Sequence, residues 1–533
     1  MPRLLALLLL ATVSAPALQA QEAPRDRPAL VVFVTVDQLR PDYLQRWSGQ
    51  FTGGFARLLR DGVFFTNAVH DHAITETAPG HSTTMSGRFP YSTGIASNSA
   101  GVNTPTAPLV GSPGTGASPF RFEGTTLVDW MTSSDARTRV LSVSRKDRGA
   151  ILPVGRGRHQ VYWYAPATGR FVTSTWYADF LPGWVRSFNG EERVMNEYAG
   201  QSWNLLLPDS AYPEADSVPA ESGGEDFLFP HMVSPDSARA PGQVVSTPWM
   251  DEMTFDFAWR GVRAMDLGGG PQTDVLAVSL STTDAVGHRY GPDSRELHDQ
   301  VLRLDRALGA FLDSLIALRG EENIVLGLTA DHGVAPLPGV RSTWNDNSSA
   351  RRLPDNAFAK AYAAVAAEVT KRGLDATAFS MDGEVLEVDR EKVSGKEADV
   401  TAIARLFARE VSRVPGVQRA DAIVDLASAD TVRDDIARRW LHMFRPGGEV
   451  IATVTLKPFH YTGNYAGASH GTPHDYDARV PVIFWGAPFT SGRNDTRVRV
   501  VDMAPTLAEV LDVEPLERVD GRVLKQALAV RTP

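Results

Sequence analysis

Three aspartates and three histidines stand where apolar runs of the chain stop. Asp37 follows the run 29–36, and Asp284 and His288 follow the run 274–280. Asp331 and His332 follow the run 323–329, and His470 sits in a Gly-containing loop ahead of the run 480–485. A spacing of four puts Asp284 and His288 on one side of a helical turn. Mixed oxygen and nitrogen donors suit zinc-like ions better than calcium or magnesium, which take oxygen alone. Six ligands are too many for one tetrahedral ion. They match two ions with three protein ligands each, leaving positions for a nucleophile and a substrate oxygen. His474, four residues past His470, is a further imidazole that could support the set from behind or replace a ligand.

Thr77 supplies a hydroxyl in the segment Thr77-Ala78-Pro79-Gly80-His81. Pro79 and Gly80 predict the opening of a helix that runs through Met85, with Thr77 just ahead of it. Main-chain N–H groups at a helix start favour an anion there. A hydroxyl becomes a useful nucleophile once a metal or base lowers its pKa. Lys146 and Arg148 are two apart, so in an extended segment both point one way and could meet the oxygens of a phosphate. Each feature has a plainer reading when taken singly. Thr77 can be an N-cap, Asp37 can play a capping role, and the basic pair can be a solvated patch.

These residues need a scaffold that gathers strand ends. The runs 29–36, 139–143, 274–280 and 323–329 are continuous and apolar, which suits strands buried on both faces of a parallel sheet. Helical patterns lie between them, at 55–60, 302–318 and 503–511. Strands alternating with helices predict an α/β fold with a doubly wound, mostly parallel sheet and helices on both faces. Ligands in that fold collect beyond the carboxyl ends of the strands. Two stretches interrupt the alternation and read as cap insertions. The expected division is a signal at 1–20, core at 27–155, an aromatic-rich cap at 156–245, core at 246–340, a second insertion at 341–447 and core at 448–533.

Composition narrows the function classes. The chain has 533 residues, no cysteine and a formal net charge of −10. Thiolate zinc sites, iron–sulfur clusters, a cysteine nucleophile and a lipid-anchored lipoprotein are excluded. The acidic balance argues against nucleic acid as a stable partner. Residues 1–20 carry one Arg before a Leu/Ala run and small residues, a pattern for an export signal cleaved near Ala20. The expectation is a periplasmic or secreted bacterial protein with no membrane anchor after cleavage.

Taken in order, the motifs resemble the alkaline phosphatase superfamily. They are most similar to its exported bacterial phosphate-irrepressible branch, which in turn resembles the nucleotide pyrophosphatase/phosphodiesterases. The resemblance spans essentially the whole mature chain. It rests on Val36-Asp37-Gln38-Leu39-Arg40, the Thr77 to His81 segment, Ser144-Arg145-Lys146-Asp147-Arg148, Asp284 with His288, Asp331-His332 and His470. It implies that Thr77 is phosphorylated during turnover, and that Asn98, Lys146 and Arg148 hold the phosphoryl oxygens. It implies two Zn2+ ions, one on Asp284, His288 and His470, the other on Asp37, Asp331, His332 and the Thr77 oxygen. The implied substrates are small phosphate monoesters and the implied state a monomer. A phosphodiesterase on the same scaffold is the alternative, and a non-catalytic exported binding protein a remoter one. The motif C/S-x-P-x-R of common sulfatases is missing.

Overall fold

The computed structural model describes residues 27–340, 351–462 and 467–529. The expected signal at 1–20 lies outside the described residues. Five parallel strands form the centre of an 11-stranded sheet, in the order Ile324–Thr329, Leu30–Val36, Asp274–Leu280, Val140–Ser144 and Gln160–Ala165. Leu30 lies opposite both Ile324 and Asp274, so three strands start in register and finish at one edge. Every residue of Leu30–Val36, Asp274–Leu280 and Ile324–Thr329 is buried. Successive strand side chains point to opposite faces, so both faces are covered, which is what the unbroken apolar runs predict.

Two helical layers provide that cover. The long helix Arg295–Arg319 packs on Gly54–Asp61 and Trp249–Met265. Met503–Leu511 packs on Leu127–Ser134, with Met503 against the sheet at Gly327. Arg479–Trp485 joins the sheet beside Ile324–Thr329 but runs antiparallel, followed by Val63–Val69.

The expected caps start and stop elsewhere. Gln160–Ala165 and Arg170–Ser174 extend the main sheet, so the segment expected as a cap from 156 begins as core. Its aromatics do packing work: the Phe171 and Phe257 rings stack at 4.0 Å, and Trp203 Nε1 donates to Asp299 Oδ2 at 2.6 Å. The second insertion has its own antiparallel sheet, Phe379–Asp382, Val385–Val388, Val450–Leu456 and Val417–Ala422. Helices Ala359–Lys371 and Glu397–Val411 close a separate core over it, including Val365, Ile403, Phe407 and Val454. Val450–Leu456 therefore belongs to the insertion, beyond the expected boundary at 447. It is buried throughout and reads in sequence like any core strand.

Candidate active site

The parallel strands deliver four site residues to one rim. Asp37 directly follows Leu30–Val36, Asp331 and His332 follow Ile324–Thr329, and Lys146 follows Val140–Ser144. Asp284 and His288 stand in the helix Thr282–Tyr290, one turn past Asp274–Leu280. His470 arrives from the loop before Arg479–Trp485.

Thr77 is the first residue of the helix Thr77–Thr84, one step further in than the sequence pattern predicts. It is not the N-cap; that position is Glu76, and no side chain of the cap bonds the helix. The helix is buried along its whole length although most of it is polar. Its hydroxyls make this possible by bonding back along the chain: Ser82 to Pro79 O, Thr83 to Gly80 O and Thr84 to His81 O. Pro79 costs nothing in the first turn, where N–H groups lack helical partners. Gly80 is required by contact, because a Cβ there would stand 2.2 Å from Asp331 O. The missing side chain seats Thr77 against the Asp331 turn.

Two groups of donors converge. Asp37, Asp331 and His332 each offer a ligand atom within 4.8 Å of the others. His288 Nε2 is 3.1 Å from Asp284 Oδ1 and 3.2 Å from His470 Nε2, and His470 Nε2 is 3.8 Å from Asp284 Oδ1. His332 also falls within 4.8 Å of Asp284 and His470, so it stands between the groups. Each of the three imidazoles has its Nδ1 beside a main-chain carbonyl: His288 at Ala468 (2.7 Å), His470 at Thr75 (2.8 Å) and His332 at Gly333 (2.9 Å). A carbonyl only accepts, so Nδ1 carries the proton and Nε2 turns its lone pair inward, the arrangement of a metal ligand. Both Asp37 oxygens and Asp331 Oδ2 are buried and accept no hydrogen bond. Open lone pairs on two buried carboxylates and three imidazoles, with Asp284 beside them, fit metal ions.

Charge tells the same story. Burial, and then the Asp284 and Asp331 carboxylates, push the Asp37 carboxyl up to about 6. Against the upward push of burial, the Lys146 ammonium holds Asp284 well below the usual range. Burial drives His470 far down, so its imidazole is neutral. Lys146 Nζ stands 2.6 Å from Asp37 Oδ2, 2.7 Å from Asp284 Oδ2 and 3.2 Å from Thr77 Oγ1. With Arg145 also 3.8 Å from Asp284 Oδ2, two cations face three buried carboxylates, so the cluster still calls for further positive charge.

A cavity of about 780 Å3 opens over Thr77, lined in part by Asn98, Lys146, Arg148, Asp284, His288 and His470. Lys146 and Arg148 both reach it, but not from an extended segment. Lys146 precedes the short helix Asp147–Ile151 and Arg148 is inside it. Arg148 pairs only with Asp147, at 3.5 Å, among the described residues, and its Nε has no partner. Asn98 Oδ1 accepts from Ala78 N at 2.9 Å, which leaves its Nδ2 hydrogens for an oxygen in the cavity. His474 takes no part; its Nε2 bonds Leu456 O at 2.8 Å.

Three supporting residues escaped the sequence pattern. Gln38, at φ 66°, donates from its main chain to Asp331 Oδ1 (3.1 Å) and from Nε2 to Asp284 Oδ1 (3.0 Å). His81 Nδ1 lies 3.1 Å from Asp331 Oδ2. Glu76 Oε2 accepts from Asn98 N at 2.7 Å and fixes that residue. Their signal was adjacency: Gln38 and His81 sit in motifs already marked, Glu76 directly precedes Thr77, and His81 follows Thr77 by one helical turn.

A family model described as type I phosphodiesterase / nucleotide pyrophosphatase matches residues 31–429, a span holding every site residue above except His470. The chain belongs to that family. Its relatives include alkaline phosphatase PhoV of Synechococcus elongatus, 32% identical over 94% of this chain and 93% of the relative. A Myroides odoratus protein named calcium-transporting ATPase is also 32% identical, over 92% of each chain. Among the described residues here, no helix is long and apolar enough to cross a membrane. Alkaline phosphatase PafA of Elizabethkingia meningoseptica is 28% identical over 93% of this chain and 95% of the relative. A crystal structure of PafA superposes with a TM-score of 0.85, covering 96% of this chain and 100% of PafA at 27% identity. The α/β architecture expected from the strand runs is therefore the alkaline phosphatase fold.

Proposed function

We propose that this protein is an exported, monomeric alkaline phosphatase that hydrolyses small phosphate monoesters through a phosphothreonine at Thr77. The observation that carries the reading is the position of Thr77 Oγ1. It opens a buried helix, 3.2 Å from Lys146 Nζ and 3.5 Å from His332 Nε2, beneath a cavity shared with Asn98 and Arg148.

Asp284, His288 and His470 would hold one zinc ion, and Asp37, Asp331 and His332 the other, next to Thr77 Oγ1. Bound zinc supplies Lewis-acid polarisation of the oxygens that attack and leave. The chain's own groups do the rest. Thr77 Oγ1 loses its proton to water and forms a bond to phosphorus as the ester P–O bond breaks on the opposite side, and the departing oxygen takes up a proton from water and leaves as the alcohol. Asn98 Nδ2, Lys146 Nζ and the Arg148 guanidinium meet the equatorial oxygens, where negative charge collects. Water then displaces Thr77 Oγ1 from phosphorus and releases inorganic phosphate. Two fixed cations favour a monoester dianion over a diester monoanion, which supports the phosphatase over the phosphodiesterase reading.

The test is turnover of 4-nitrophenyl phosphate by purified protein with and without chelator, combined with acid quenching and mass spectrometry. Chelator-sensitive turnover and phosphate on Thr77 are expected. No chelator-sensitive turnover would end the reading.

A further inference from the structure

Two cavities of opposite charge meet at Asn98 and His470. The one over Thr77 presents Arg145, Lys146 and Arg148. The other, about 400 Å3, lies between the core and the second insertion. Its wall carries Glu76, Asp382, Glu384 and Glu387 and no lysine or arginine. Among the described residues, none of these four carboxylates forms an ion pair. Their bonds are to neutral donors: Asn98 N to Glu76, Ser99 Oγ to Asp382 at 3.1 Å, and Thr462 Oγ1 to Glu384 at 2.6 Å. Burial, then Glu76 and Asp382, push the Glu384 carboxyl up, the cost of gathering acids without a counter-cation. Phe444 and Tyr461 add aromatic surface. Tyr461 is only 7% exposed, and the Arg352 guanidinium lies 5.9 Å from its ring centroid, so the ring already sits beside a cation. Carboxylates beside aromatic rings form a receptor for an organic ammonium.

The chamber also adjoins the cavity over Thr77, because Asn98 and His470 line both. In an in-line displacement the departing oxygen stands opposite Thr77 Oγ1, on the His288 and His470 side. His470 and its neighbours Ser469 and Gly471 are part of the chamber's lining. The geometry points to a leaving-group subsite here for a short alkyl ammonium, making aminoalkyl phosphate monoesters the preferred substrates. This inference rests on the phosphatase reading above. It also gives the second insertion a role, because Asp382, Glu384, Glu387 and Phe444 all come from it. A like-charged leaving group, such as a carboxylate, is disfavoured by the same wall.

The test compares kcat/KM for 2-aminoethyl phosphate, 2-hydroxyethyl phosphate and phosphoglycolate, with 4-nitrophenyl phosphate as reference. Wild type is expected to prefer the amine over the hydroxyl ester by roughly tenfold, with phosphoglycolate slowest. Asp382→Asn, at an exposed position, and Glu384→Gln should each bring the amine preference towards one while 4-nitrophenyl phosphate turnover stays within about twofold. No amine preference in wild type, or a preference that survives both substitutions, would overturn the subsite. Loss of all turnover, including 4-nitrophenyl phosphate, would instead count against the phosphatase reading.

Discussion

The imidazoles of His288 and His470 face each other Nε2 to Nε2 at 3.2 Å, each with its Nδ1 committed to a main-chain carbonyl. Two lone pairs repel at that distance, so the pair is built for a cation between them, shared with Asp284.

Metal content tests that relationship. Zinc-loaded wild type is expected to carry about two ions per chain, and His470→Ala about one, by inductively coupled plasma mass spectrometry. Two ions in His470→Ala would remove His470 from the ligand set.

Thr77→Ala is expected to lower kcat by roughly 10³-fold or more and to abolish the phosphoenzyme, with metal content still near two. Thr77→Ser keeps a hydroxyl at the helix start and should retain part of the activity. Unchanged turnover in Thr77→Ala would make Thr77 a structural residue.

Replacing Lys146 and Arg148 together with Ala should reduce monoester kcat/KM by roughly 10²–10³-fold, the scale for donors aimed at developing charge. A matched diester offers less negative oxygen and should lose far less. Equal losses would mean that the two cations do not select the monoester.

Gly80→Ala tests how the helix is seated. In an ordinary helix interior alanine is better than glycine by about 1 kcal/mol. Here the added Cβ would lie 2.2 Å from Asp331 O, a main-chain atom that cannot swing aside. The expected sign is reversed, a loss of about 1–3 kcal/mol from overpacking, read as a lower urea midpoint at unchanged slope. Activity should fall as well, since Asp331 moves with its carbonyl. A stabilised variant would contradict the close approach.

Much of the fold could be read from the chain because its central strands are buried on both faces. That burial leaves unbroken runs of β-branched residues, and the acids that end them mark the rim. The helix at 503–511 was read to the residue. Other features depend on partners that a local pattern does not reveal. Val450–Leu456 looks like core yet pairs with Val385–Val388 in the insertion. Lys146 and Arg148 share a cavity, but a helix start between them, not an extended segment, sets their directions. Gln38 passed unmarked because its role needs two carboxylates from distant strands, Asp284 and Asp331. His81 and Glu76 act through neighbours, and their residue types alone gave no sign of it.

The most direct measurement of the central claim is kcat/KM of the zinc-loaded protein for a monoester and a diester with the same aryl leaving group. A phosphate monoesterase that uses Lys146 and Arg148 on a dianion predicts a strong monoester preference, on the order of 10²-fold or more. A diester turned over as well as, or better than, the monoester would contradict it.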